Sequence, residues 1–202
     1  GYGFHVPTKD LYDAFDPDDP RITYVFTQTG DQYVGDENPQ NNSDSETGFH
    51  DYKMTVPTKD KVGFDNWMIS YNIRMIRYSD VLLMYAEAVV MGGKATANIT
   101  PLEAINKVRD RVGVPHVTEA NMRTIEDERI LELTYEGSRF FDLLRWGKVV
   151  ERFRELENTD PLFKRFSRAQ YMGFKENKNE WVPLPIDEVE GNPYITKNNP
   201  GW

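Results

Sequence analysis

From residue 74 onward, apolar positions recur every three or four residues. Tyr78, Leu82, Tyr85 and Val89 fall at i, i+4, i+7 and i+11, and Val81 widens the stripe. That spacing predicts one buried face of an α-helix, which Gly92-Gly93 ends. A second helix is predicted to start at Thr100-Pro101-Leu102-Glu103. Thr100 suits the N-cap, Pro101 the first turn, and Glu103 completes a capping box. Leu102, Ile105, Val108 and Val112 form its apolar face, and Gly113 stops it. Thr124-Ile125-Glu126-Asp127 opens a third helix, expected to run through Glu136 and to break at Gly137. Residues 138–147 read as a fourth, and 148–156 continue helically. Helix pairs of this kind cannot bury both faces alone and tend to stack into a superhelix.

The first 71 residues follow another pattern. Turn signals recur at Asp16-Pro17, Asp19-Pro20, Gly30-Asp31, Gly35-Asp36 and Asn38-Pro39. Between them, Arg21 to Thr27 is rich in β-branched and aromatic residues and predicts a strand. Residues 36–47 hold no apolar residue and read as an exposed loop. The end, Trp181 to Trp202, is rich in Pro, Asn and Gly and is expected to lie extended against the helices. The reading is therefore a mainly α chain in three stretches: 1–73, loop- and strand-rich and ligand-facing; 74–157, a helical scaffold; and 158–202, a basic loop and extended tail.

Charge sharpens this picture. The 202 residues carry a formal net charge of −9, which argues against a nucleic-acid partner and against adhesion to anionic lipid through the polypeptide. The acids crowd the front: residues 1–60 hold four Lys or Arg against twelve Asp or Glu, whereas residues 139–178 hold ten against six. No cysteine is present, so disulfides, thiol nucleophiles and Cys-ligated metals are excluded. The longest near-apolar stretch, 81–93, is too short to span a bilayer. The first residues do not form a signal peptide, and with no initiator Met the chain reads as part of something longer.

Candidate chemistry is sparse. Gly92-Gly93-Lys94-Ala95-Thr96 lacks the first glycine of a phosphate-binding loop, because position 88 is Ala, and it follows a helix instead of a strand. His5, His50 and His116 are far apart, no serine elbow is present, and the acidic loop lacks EF-hand spacing, so no metal or cofactor is expected. Arg129, Glu132, Glu136, Arg139 and Asp142 recur at steps of three and four. Glu132 and Glu136 invite a glycosidase reading. Arginines bracket both, however, and carboxylates on successive turns of one helix do not face each other across a sugar. We read an ion ladder on one helical face that fixes packing, and no enzyme.

Aromatics carry the functional signal. Twelve of the 26 lie in residues 1–71, among Asp, Asn and Gln. Rings cover the apolar face of a pyranose while amides and carboxylates bond its hydroxyls; the same rings also serve to anchor a loop-rich segment to its core. The division expected is a rigid helical back and a recognising front.

Four blocks, in order, resemble the SusD/RagB family of nutrient-binding outer-membrane lipoproteins: Arg77 to Ala88; Ala104 to Arg111; Glu128-Arg129 through Trp146-Gly147; and Trp181-Val182-Pro183-Leu184-Pro185 with Asn192-Pro193 and Asn198 to Trp202. Pro7 to Leu11, Phe15 and Asp19-Pro20-Arg21 add to the likeness. The resemblance implies the C-terminal half of a SusD-like α/α superhelix with a TPR-containing scaffold. It implies a surface-exposed outer-membrane protein that captures glycan, or peptide in some members, without catalysis; the alternative of another class is a scaffold whose helical face only docks a partner. The implied partners are a SusC-like TonB-dependent transporter, the N-terminal half of the same protein, and the membrane only through a lipid anchor outside this chain. Ligand contacts in such proteins resemble a shelf of loop aromatics; here Tyr24, Tyr33, Tyr52, Asn66 and Trp67 are the expected members.

Overall fold

A computed structural model of the chain describes residues 6–31, 45, 47–56, 72–160 and 174–202. It divides into two compact units, residues 1–139 and 140–202.

The core of the first unit is a helical trio: α3 (Tyr78–Val90), α4 (Pro101–Val112) and α5 (Met122–Glu132). Leu82, Leu83 and Ala86 of α3 meet Ala104, Ile105 and Val108 of α4 and Ile125 of α5, all buried. The stripe on α3 is not the predicted one. Ser79, Leu82, Leu83, Ala86 and Glu87 face inward, whereas Tyr78 and Val81 are exposed. The helix is apolar on two sides, so periodicity alone does not choose between them. Tyr85 is half-buried because its hydroxyl donates to the Ile99 carbonyl and accepts from the Thr96 amide, pinning the connection that follows.

The caps of α4 follow the sequence closely. Thr100 Oγ1 accepts from the Glu103 amide and Glu103 returns a carboxylate to the Thr100 amide, with Pro101 at the first position. Gly113 ends the helix at φ 75°, a left-handed conformation that costs a side-chain-bearing residue about 1–2 kcal/mol. Asn106, buried on α4, both donates to and accepts from the Val117 backbone, and so fixes the turn leading to α5.

Two boundaries differ from expectation. α5 starts at Met122, earlier than predicted, because the Asn121 side chain caps the Thr124 amide. It ends at Glu132 instead of Glu136: the Glu136 amide turns back to the Leu133 carbonyl, and Tyr135 takes φ 65°. The predicted strand over 21–27 is also corrected. Ile22–Val25 form one helical turn (α2), and only Phe26–Gln28 (β1) are extended. Tertiary demand overrides β-propensity here, since Asp19 accepts the Arg21 amide and winds the chain so that the Arg21 side chain enters the interior.

β1 pairs antiparallel with β2 (Phe49–Asp51), in the register Phe26↔Asp51, Thr27↔His50 and Gln28↔Phe49. Beneath this ribbon lies a second core of Phe15, Val25 and Phe26, joined by α1 (Lys9–Asp13) through Tyr12, which stacks on Phe49 with centroids 4.3 Å apart.

The second unit contains most of α6 (Arg139–Arg145), with α7 (Val149–Thr159) and α8 (Ile186–Gly191). Phe153 stacks on Phe174, and Arg154 pairs with Glu176. The tail closes on itself: Trp202 Nε1 donates to the Lys178 and Trp181 carbonyls. Gly201, at φ 80°, is required there, because a Cβ would come within 2.7 Å of Lys178 Cβ. The tail expected to be extended thus includes the helical turn α8.

Candidate functional site

Glu128 and Glu132 stand one turn apart on α5, and Glu136 follows just past its end. The sequence suggested partners on the same helix. The structure pairs these carboxylates with cations from other elements. Arg21 donates to Glu128 Oε1 at 2.7 Å and to Glu132 Oε2 at 3.3 Å, while its other nitrogens hold Asp19. Arg109 takes the second oxygen of Glu128. Arg111 Nη2 bridges both Glu132 oxygens at 2.9 and 2.8 Å. Arg77 grips Glu136 with two nitrogens, each at 2.7 Å, and gives a third contact to Glu132 Oε1 at 3.0 Å. Lys53 donates to the Glu132 carbonyl at 2.6 Å and pairs with Glu136. Arg129 is buried and pairs with Asp80 of α3.

Glu132 is the hub. It is 1% exposed, and each of its oxygens accepts from two guanidinium nitrogens. Burial pushes its carboxyl up, but the charges of Arg111 and Arg77 and the hydrogen bonds from Arg77 and Ser79 outweigh this and hold it below the ordinary range. Glu136 follows the same logic: burial raises it, and Arg77 and Lys53 bring it below its usual value. Asp19 is likewise lowered, with its hydrogen bonds and charge contact to Arg21 overcoming burial. Lys53 moves the other way from a free lysine, lowered chiefly by burial despite Glu136. Carboxylates held ionised by arginines are poor proton donors, so the geometry does not favour the acid half of a glycosidase pair.

This network forms one wall of a cavity of about 680 Å³, within the size range of ligand sites. Tyr24, Ile73 and Val112 stand with Met54, Leu131 and Tyr135 as its apolar lining. Arg21, Lys53, Arg77, Arg111, Glu132 and Glu136 reach it from the network, and Arg74 also lines it. Two residues of the expected back-half ladder, Glu132 and Glu136, therefore border this cavity.

Of the anticipated ligand residues, Tyr24 lies at this cavity and is 67% exposed. Tyr52 lines a smaller cavity of about 370 Å³ beside Tyr12 and Gln28, so the two tyrosines border different spaces. Tyr33, Asn66 and Trp67 lie outside the described residues, as does nearly all of the 36–47 loop. The other described front aromatics, Tyr12, Phe15, Phe26 and Phe49, pack against one another. Sequence reasoning missed Arg21, Lys53, Arg74, Arg77 and Arg111 as site residues. Arg21, Arg77 and Arg111 fall within the family-like blocks, and no sequence pattern marked Lys53. Among the described residues no group of His, Asp and Glu is placed to hold a metal, and no helix is long and apolar enough to cross a membrane.

Comparison with known proteins agrees with the sequence likeness. The family model described as the SusD family matches residues 1–202. A SusD-like protein of Formosa agariphila is 24% identical over the whole chain and 41% of its own length, and another from that organism is 32% identical over 52% of the chain and 23% of its own. The chain thus spans well under half of the curated relatives it matches. A SusD superfamily protein from Bacteroides vulgatus superposes with a TM-score of 0.69 at 27% identity, covering 98% of this chain and 44% of that one. Surface glycan-binding protein A from Bacteroides thetaiotaomicron, solved with laminarihexaose, has the same fold, with a TM-score of 0.74 at 23% identity and coverage of 98% and 42%.

Proposed function

Because the chain belongs to the SusD family, we propose that it forms part of a non-catalytic surface protein that binds glycan and delivers it to a SusC-like TonB-dependent transporter. The observation that carries this reading is the family match along all 202 residues. The cavity supports it: an exposed Tyr24 ring stands beside fixed polar groups, the pairing of flat apolar face and oriented hydrogen bonds that a pyranose requires. In this proposal Tyr24 is joined by Tyr33, Tyr52, Asn66 and Trp67 as ligand contacts, and a lipid anchor outside this chain holds the whole protein at the outer membrane.

Shallow aromatic sites of this kind give micromolar to millimolar affinity, about −8 to −4 kcal/mol. Isothermal titration against a panel of oligosaccharides, laminarihexaose first, tests the reading. Binding is expected with at least one member, and Tyr24→Ala and Trp67→Ala are each expected to weaken it about fivefold or more. No heat with any glycan, alongside capture of peptides from a library, defeats it. Reducing-sugar release that disappears in Glu132→Gln defeats the non-catalytic part.

A further inference from the structure

The cavity carries the opposite charge to the chain around it. Against a net charge of −9 overall, its wall presents, among the described residues, Arg21, Lys53, Arg74, Arg77 and Arg111 with two carboxylates, Glu132 and Glu136. Adding the groups immediately behind the wall, Asp19, Glu128 and Arg109, leaves the positive excess in place.

The two carboxylates are spent on the network. Both Glu132 oxygens accept two donors each, and both Glu136 oxygens accept from Arg77, one of them also from Lys53. Neither has much capacity left for a sugar hydroxyl. The donors are a different matter. Arg111 engages Glu132 through Nη2 alone; its Nε and Nη1 make no hydrogen bond among the described residues, and its side chain is 55% exposed. Glu132 thus anchors the guanidinium while leaving the Nε and Nη1 N–H groups open, each able to donate a charge-assisted hydrogen bond to an oxyanion. Exposed Arg74 lines the same space, and Tyr24, Ile73 and Val112 offer apolar surface next to it.

Resting on the glycan reading above, we propose that this cavity is an oxyanion subsite that selects acidic glycans: a sugar face lies against Tyr24 and Ile73 while a uronate carboxylate or a sulfate ester is taken by Arg111, with Arg74 adding charge. In a chain of net charge −9, a positive opening of this kind draws anions toward itself.

The test is titration of the chain with three hexasaccharides, one neutral (laminarihexaose), one of uronates and one sulfated, at low and at moderate salt, together with hexaglutamate. An acidic hexasaccharide is expected to bind at least about tenfold more tightly than the neutral one, with the preference shrinking as salt rises. Comparing the uronate and sulfated arms identifies which oxyanion is recognised. Arg111→Gln is expected to remove about tenfold of acidic-glycan affinity and to weaken the neutral hexasaccharide far less, so that the acidic preference shrinks, and Arg74→Gln is expected to shift that preference in the same direction. Equal or tighter binding of the neutral hexasaccharide, or unchanged acidic affinity in both variants, overturns the proposal and leaves the glycan reading standing. Binding of hexaglutamate with no oligosaccharide overturns both, as does the absence of any binding.

Discussion

Replacing Glu132 by Gln removes one charge and almost no volume, and so isolates what the hub contributes. In the native protein each Glu132 oxygen accepts from two guanidinium nitrogens, at distances from 2.8 to 3.3 Å. The amide keeps one accepting atom and turns two N–H groups toward donors that need an acceptor. Arg21, buried to 6% exposure, loses one of its counter-charges, and Arg77 loses the Glu132 carboxylate while keeping the Glu136 carboxylate and its contacts to Ser79 and the Glu132 carbonyl. Removing one partner of a buried ion pair costs about 3–5 kcal/mol. The half-exposed Arg111 arm adds little, because solvent screens it. For a chain of this length each kcal/mol lowers Tm by about 2–4 °C, so the expected fall is about 6–20 °C. Urea unfolding followed by far-UV circular dichroism measures it directly, with an unchanged denaturant slope confirming that the unfolding unit is the same. Arg111→Gln is the matched control, expected to cost about 1 kcal/mol or less. A loss below about 1 kcal/mol for Glu132→Gln, or one no larger than the control's, would refute the claim that this carboxylate holds the first unit together.

Ile105→Ala opens a hole where a side chain with no exposure meets three helices, and a cost of about 2–5 kcal/mol in urea unfolding is expected. Gly201→Ala forces a Cβ against Lys178 at φ 80°; a local cost of about 1–2 kcal/mol should appear as faster exchange of the Trp202 indole proton by NMR. Acid should unfold the chain in a defined window. Glu132, Glu136 and Asp19 have folded pKa values below their ordinary ones, so their stabilisation is complete above the unfolded carboxylate range, about 4, and is lost as pH falls through the folded values. Tm is expected to hold from pH 7 to 5 and drop below about pH 4, with a shallower drop in Glu132→Gln; a steep decline already between pH 7 and 5 contradicts this assignment.

The helices were legible because their signals are local. The Thr100–Glu103 capping box, Pro101 and Gly113 need only neighbours, and α4 sits within a residue of where they put it. α5 was misjudged at its end because the reason it stops is distant: Glu136 leaves the helical path to reach Arg77 and Lys53. The same cause turned a predicted strand at 21–27 into a helical turn, since Arg21 must reach Glu128 in the interior. The buried face of α3 was misread because Tyr78, Val81 and Met84 make an outward stripe as apolar as the inward one. At the candidate site, ring chemistry pointed to Tyr24, which lies at the cavity, but no spacing rule brings together Arg21, Lys53, Arg77 and Arg111. Their convergence is a product of tertiary packing, and periodicity within one helix suggested the wrong partners for Glu132.

The hub is also fastened from unequal distances along the chain. Arg111 reaches it across 21 residues and Arg77 across 55, Lys53 and Arg21 across 79 and 111. Closing the longest of these loops costs roughly 1.5 kcal/mol more entropy than closing the shortest. The first third is therefore the late-closing latch of the molecule, and the earliest to spring open. Amides of residues 22–28 should exchange with solvent deuterium before those of residues 101–112. The wall that carries Tyr24 would then loosen while the helices behind it stay shut, and a ligand gripping that wall would slow its own door.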